Sequence, residues 1–409
     1  MQQSTGRDTV LLFATRFARL FAYGFFSVAL ALYLAAIGFS DRQIGLLLSL
    51  TLAGDAVISL WITTSADRMG RRRMLLLGSV LMALSGAAFI ATRNPVLLMI
   101  AAIVGVISPS GSEIGPFLSI EQAALSQLVS GQQRTRVFAW YNLAGSLATA
   151  MGALCGGMLA HHLQSTGASP LQSYRAVILG YAIGGGMLTA LFLGLSKSVE
   201  VEQPAKARTD LPLFGLHRSR NVVMKLSALF AMDAFAGGFT VQSILAYWFH
   251  LRFGADIGTL GLIFFGANIL AGLSSLAAVR IARRVGLIKT MVYTHIPSNV
   301  LLMLVPLMPN LSSAITLILV RFSISQMDVP TRQSYTMAVV QPDERSAAAG
   351  VTNIARSVGA SISPALTGIM LANPLLMNIP FFLAGGLKIC YDLLLYRSFR
   401  KMKPPEEVH

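Results

Sequence analysis

The sequence predicts an all-α membrane protein with twelve transmembrane helices in two pseudo-symmetric six-helix bundles. Three observations lead there. The 409 residues are 54% hydrophobic and only 12% charged, against about 25% charge in an ordinary soluble protein, so charge is too scarce to cover a water-facing surface of this size. Apolar runs such as 75–92 and 177–195 contain no acidic or basic side chain, and about 18 such residues suffice for a membrane span. The two halves of the chain also match each other at spaced positions.

Taken in order, the spans read at 9–37, 44–66, 74–92, 96–125, 136–162, 172–195, 223–252, 256–280, 287–308, 311–336, 346–372 and 376–397. Connections are short except at 196–222, where Lys197, Glu200, Glu202, Lys206, Arg208, Asp210, Arg218 and Arg220 gather around Pro204 and Pro212. This polar linker separates an N-terminal half, 1–195, from a C-terminal half, 223–409. Cytoplasmic loops are enriched in Lys and Arg. With the N-terminus inside, 22 of the 32 basic residues fall on the cytoplasmic side and 4 (Arg42, Arg93, Arg175 and Arg252) on the other. Both termini are therefore expected in the cytoplasm, as an even number of spans requires.

The net charge of +15 does not point to nucleic acid, because the basic residues sit between spans rather than on one face. Cys155 and Cys390 fall inside spans without metal-ligand spacing, and of six histidines only His161 and His162 are adjacent, so neither a disulfide nor a zinc site is read. The first apolar stretch is long and lacks a small-residue cleavage pattern, so no cleavable signal peptide is read. No phosphate-cradling glycine loop, metal cluster or nucleophile with its base stands out. The chain is read as no enzyme and as needing no cofactor.

At an offset of 213, Phe17, Ala18, Gly24, Phe26, Val28, Leu32, Ile44 and Gly45 match Phe230, Ala231, Gly237, Phe239, Val241, Leu245, Ile257 and Gly258. At an offset of 211, Gln122, Arg134, Asn142, Ala144, Ser146 and Gly157 match Gln333, Arg345, Asn353, Ala355, Ser357 and Gly368. Parallel repeats about an axis along the membrane normal are a transporter architecture.

Between the second and third spans the chain reads Asp67-Arg68-Met69-Gly70-Arg71-Arg72-Arg73. This resembles the signature loop of the major facilitator superfamily, G-x-x-x-D-R-x-G-R-R, with Thr63 in place of the leading glycine. A degenerate copy, Arg283-Arg284-Val285-Gly286 with Lys289, follows the eighth span. Asp67 is placed to pair with arginines or cap a helix N-terminus, Gly70 permits a tight turn, and Arg71 to Arg73 can hold anionic headgroups. The resemblance implies a conformational latch at Asp67, Arg68, Gly70 and Arg71, and a central cavity lined by the first, fourth, seventh and tenth helices.

Ionisable groups inside spans are expensive and mark functional sites. Here they are Arg16, Arg19, Asp55, Glu113, Glu121, Asp233, Arg321, Asp328, Arg332, Arg356, Lys388 and Asp392. Arg16, Arg19 and Tyr23 share a helix face. Arg19 aligns next to Asp233 under the repeat, and both are expected at one cavity, with Tyr23, Glu113, Arg321 and Asp328 as further substrate or proton candidates. Asp55 and Arg356 are read as an interdomain gate, Glu121 and Arg332 as gating residues at equivalent positions, and Lys388 with Asp392 as a local i, i+4 pair. The run Gly152, Ala153, Leu154, Cys155, Gly156, Gly157 partly resembles the antiporter motif of drug/proton exporters, G-P-x-x-G-G, and equally suits close helix packing.

The resulting expectation is a secondary active transporter, working by alternating access. It moves a small organic solute, anionic or strongly hydrogen-bonding because arginines abound, and is coupled to protons. Export of hydrophobic drugs against protons is the alternative, and a membrane receptor or structural protein the non-transport one. Its partners are the solute, a proton and the lipid bilayer, with no nucleic acid and a monomeric chain. Arg outnumbers Lys 25 to 7, which suits a bacterial inner membrane.

Overall fold

A computed structural model describes residues 2–111, 117–129, 131–200, 216–341, 344–400 and 402. Among these residues there are fifteen α-helices and no strand. They are α1 (Gln2–Ala36), α2 (Asp41–Met69), α3 (Arg71–Ala91), α4 (Pro95–Val104), α5 (Phe117–Leu128), α6 (Gly131–Ser165), α7 (Pro170–Leu193), α8 (Arg220–Gly238), α9 (Gln242–Phe253), α10 (Ile257–Val285), α11 (Leu287–Leu304), α12 (Leu311–Phe322), α13 (Asp328–Val339), α14 (Arg345–Leu371) and α15 (Ile379–Phe399). Ten helical stretches are long and apolar enough to cross a membrane, and α4 and α12 are shorter apolar helices. Together they are the twelve spans read from the sequence.

Three of those spans are not continuous, which corrects the sequence reading. The fourth is α4 and α5, the seventh α8 and α9, and the tenth α12 and α13. The fourth breaks at Gly105, with Val106 and Gly111 at positive φ and Pro109 between them. The seventh breaks after Gly237 and Gly238, and the tenth at 323–327, ahead of Pro330. Non-helical backbone at membrane depth is tolerated only where protein or a water-filled cavity surrounds it. Accordingly Val106, Ile107, Ser108, Phe239, Ser325 and Met327 are all buried.

The chain resolves into two compact units, Met1–Lys206 with Gln242–Phe265, and Ala207–Val241 with Gly266–His409. In the first, α1 is the central helix: 83% of its span is buried, against 33% to 50% in the other nine. It packs on α6 through glycine, since a Cβ on Gly24 would overlap the Thr149 carbonyl, and one on Gly152 or Gly156 the carbonyl of Phe21 or Phe25. Gly157 packs against Gly261 of α10. The glycine run on the fifth span is therefore used for helix packing. α9 joins this unit by hydrogen bonds: Ser243 donates its backbone N–H (3.0 Å) and its hydroxyl (2.8 Å) to the Pro109 carbonyl freed by the break in the fourth span. The Gln242 amide reaches the Ser27 hydroxyl at 2.8 Å, and the Tyr247 hydroxyl reaches Asp41 at 2.7 Å. In the second unit α14 packs on α8 in the same manner, with Gly359 against the Ala231 carbonyl and Gly238 against Ser363.

Each unit has a tight turn where a helix ends and the next begins at once. Gly70 (φ 100°) and Gly286 (φ 92°) occupy these turns, in a region of backbone space that side chains with a Cβ rarely adopt. Carboxylates from distant sequence cap helix starts. Glu200 accepts the N–H groups of Arg71 (2.7 Å) and Arg72 (3.2 Å) at the start of α3. Glu344 accepts those of His217, Arg218 (3.0 Å) and Ser219 (2.8 Å) ahead of α8. Burial works to raise the Glu344 pKa, but the hydrogen bonds from Ser219 and His217 outweigh it and hold the carboxyl at about 2.

Two outcomes test this packing. Gly152→Val should destabilise the purified protein by about 1–3 kcal/mol through overpacking, whereas Gly186→Ala, where a new Cβ meets nothing within 4 Å, should stabilise it by about 0.5–1 kcal/mol. Thermal unfolding in detergent measures both. Because the folded Glu344 pKa lies below its ordinary value of 4.5, its contribution is complete above that value and is lost as pH falls from there through about 2. Glu344→Gln should remove that part of the acid-unfolding curve.

Candidate functional site

Among the described residues, the first unit buries an ion pair in full. From α1, the two terminal nitrogens of Arg19 donate to the two oxygens of Glu121 on α5, each at 2.7 Å, and both side chains are 0% exposed. Removing two charges from water costs several kcal/mol per ion, repaid only when geometry is good and the remaining lone pairs are used. Both conditions hold. Glu121 also accepts from the Thr15 hydroxyl at 2.8 Å and from the Tyr141 hydroxyl. The Arg19 guanidinium lies 4.7 Å from the centre of the Phe117 ring. Arg16 rests 4.3 Å over the Tyr141 ring and donates to Asn142 at 3.2 Å.

The second unit gathers more charge. Asp233 on α8 receives Lys388 of α15 at 2.6 Å, Arg332 of α13 at 3.1 Å and Arg356 of α14 at 3.1 Å. Arg332 also bridges to Asp328, one turn earlier, at 2.9 Å, and its guanidinium lies 5.5 Å from the Phe230 ring centre. Arg356 is the most open of the group, with 30% of its side chain exposed. Arg321, at the break in the tenth span, lies over Phe322 at 4.9 Å, and its buried Nε has no hydrogen-bond partner. Behind the cluster, the Nδ1 of His295 on α11 lies 3.0 and 3.1 Å from the two oxygens of Asp392 on α15.

The two units repeat one device with the charges exchanged. Arg19 on the first span pairs with Glu121 on the fourth, and Asp233 on the seventh pairs with Arg332 on the tenth. Glu121 and Arg332 are equivalent under the 211-residue offset, and Arg19 and Asp233 are one residue from equivalence under the 213-residue offset.

Of the other residues singled out in the sequence, Tyr23 and Asp55 are buried in the first unit. Glu113 lies outside the described residues, as do the side chains of Asp67 and Arg68. In the signature loop, Arg71 donates to Gln127 of α5 at 2.6 Å and to the Val199 carbonyl at 3.4 Å. Arg72 takes the carbonyls of Phe192 and Leu193 at the end of α7. Lys388 and Asp392 are not the local pair that their spacing suggests, since their bonded partners are Asp233 and His295. Sequence reasoning missed His295, Glu200 and Glu344. The signal for His295 was present: it is an ionisable side chain inside an apolar run.

A family model described as the Major Facilitator Superfamily matches residues 12–403. The chain is 34% identical to the uncharacterized membrane protein YJR124C of Saccharomyces cerevisiae, over 96% of this chain and 94% of that one. Among solved structures it is similar to a variant of the nucleoside transporter NupG, at 12% identity and a TM-score of 0.77, covering 96% of this chain and 99% of that one. It is also similar to a bacterial homolog of the human lysosomal transporter Spinster in an inward-facing and occupied conformation, at 15% identity and a TM-score of 0.74, covering 96% and 97%.

Arg19→Met leaves Glu121 buried without its cation and should cost about 3–5 kcal/mol of stability. Arg19→Met combined with Glu121→Leu removes both charges and should cost less than the single change. Thermal unfolding of the two variants measures the difference, and equal losses would contradict the pairing.

Proposed function

The chain belongs to the Major Facilitator Superfamily and has the fold of its transporters, and from that premise we propose that it is a secondary active transporter. Its solute is a small organic anion, or a metabolite equally rich in hydrogen-bond acceptors, moved by alternating access and coupled to protons. The observation that carries this reading is the charge balance of the second unit. Arg321, Arg332, Arg356 and Lys388 stand against Asp233, Asp328 and Asp392, so cations exceed carboxylates by one. A surplus of buried cations is costly in a membrane and is relieved by an anion. Arg356, partly exposed, and Arg321, with an unused donor, offer planar groups that suit carboxylate or phosphate. The second parts of the fourth and tenth spans, α5 and α13, begin at equivalent residues under the 211-residue offset, and interrupted spans in corresponding positions of the two halves are where transporters of this kind bind their solutes.

The same reading makes a single chain in the bilayer the working unit. Both termini lie in the cytoplasm, the side that collects most of the basic residues, and the abundance of arginine over lysine suits a bacterial inner membrane.

The experiment is thermal stabilisation of the purified protein across a library of carboxylates, phosphates and neutral metabolites, followed by flux in proteoliposomes with and without a proton gradient. A true solute at about 100 times its Kd should stabilise by about 2.7 kcal/mol, and Arg356→Gln should abolish the effect. Stabilisation by lipophilic cations and by no anion would reject this reading in favour of drug export.

A further inference from the structure

Transport coupled to protons needs a buried group that gains and loses one. The carboxylates nearest the arginines are poorly suited. Asp233 is held by three cations within 3.1 Å, and Asp328 by Arg332 at 2.9 Å. Protonating a carboxylate so clasped would strand its cations without a counter-charge. Glu121 is in the same position, held by Arg19.

The His295–Asp392 pair differs. His295 is 4% exposed and Asp392 0%, and among the described residues no arginine or lysine is in ion-pair contact with Asp392. A carboxylate only accepts hydrogen bonds, so Nδ1 of His295 carries the hydrogen that faces it, and Nε2 is left as the atom that takes or releases a proton. The pair lies on a polar seam between the ninth and twelfth spans. One turn along α11 from His295, Ser298 and Asn299 are both 0% exposed, and the Ser298 hydroxyl and both side-chain polar atoms of Asn299 lack a partner. Asn299 packs on Gly385 of α15, on the face that carries Lys388 and Asp392 at helical spacing. Buried amides of this kind are satisfied by ordered water, and water is what a proton needs to arrive.

We propose that the His295–Asp392 pair is the proton-binding site of this protein, while Asp233 and Asp328 serve to hold the cations. This rests on the proton-coupled reading above. Lys388 and Tyr391 from α15 and Asp233 from α8 act on the pair directly, and Asp328 and Arg332 from α13, Arg356 from α14 and Arg321 from α12 lie beyond them, around Asp233 and Asp328. With Asp392 ionised and His295 neutral, this set carries a surplus of one positive charge. A proton from water on one side of the membrane, bound at Nε2, raises the surplus to two, and its release to water on the other side restores it. His295 acts electrostatically on Asp233. When charged, it shares that carboxylate with Lys388, Arg332 and Arg356, and Arg356, the most exposed, is the one freed to take an anion. Proton and anion thus enter in the same step.

The test uses the whole purified chain in nanodiscs, with histidine labelled by nitrogen-15 and its ring resonances followed against pH. Replacing the other five histidines by glutamine leaves His295 as the one imidazole, so the result does not depend on a His295 variant that folds. The expected result is that the His295 ring passes between its neutral and protonated forms over the pH range scanned. The midpoint of that change should be displaced in Asp392→Asn, which removes the neighbouring negative charge, and displaced less in Asp328→Asn. A His295 that stays in one protonation state, or a midpoint indifferent to Asp392→Asn, overturns the proposal. No solute is needed for this measurement, so its failure leaves the transport reading to be judged by flux alone.

Discussion

The interaction on which the rest depends is the bond between a buried arginine and a buried carboxylate across the first and fourth spans of each half. In a hydrocarbon interior an unpaired charge costs several kcal/mol, so each charge in the chain obliges a partner at the same depth on a neighbouring helix. That obligation fixes which faces meet. Arg19 meets Glu121 only if α1 and α5 present those faces to each other, with Thr15 and Tyr141 completing the carboxylate's hydrogen bonds. The second unit satisfies the same requirement with Asp233 and Arg332 in exchanged roles. Because the pair is symmetric in position and not in sign, the duplication preserves the scaffold while the second unit adds Lys388 and Arg356 around its carboxylate.

The second constraint is that of backbone. Breaking a span frees N–H and C=O groups that lipid cannot satisfy, and the breaks sit where protein satisfies them. The Pro109 carbonyl in the fourth span is taken by Ser243 at the start of α9, so one broken span answers another. The tight turn at Gly70 is stabilised in the same manner, by Glu200 capping the helix that follows. At these positions charge and backbone obey one rule, under which the polar groups freed by a break or an ion pair find a partner on a neighbouring helix.

Much of this was legible in the sequence. Span positions follow from hydropathy alone, and the repeat was visible because polar residues matched along with apolar ones. The equivalence of Glu121 with Arg332, and of Arg19 with the neighbourhood of Asp233, was also readable. Which of these groups bond within a unit was not, since a repeat relates positions and says nothing of contacts. The i, i+4 spacing of Lys388 and Asp392 suggested a local pair because that distance is short along a helix, yet Asp233 and His295 lie closer across the packing. The breaks in the fourth, seventh and tenth spans left their marks in Gly105 and Pro109, the Gly237–Gly238 step, and Pro330. Hydropathy, which averages over a turn or more, passes over them.

The assignment of 242–265 to the first unit bears on how the protein is made. A ribosome finishes the sixth span at residue 193 and then delivers the linker and α8 before it reaches α9. The surface of α1 that Ser243 and Gln242 cover, and the Gly157 surface that Gly261 covers, must wait through that interval. The first six spans are therefore an incomplete body when they enter the membrane. Assembly of the two bundles is interlaced in time, and a chain cut at the central linker would separate α9 and the start of α10 from the helices against which they pack.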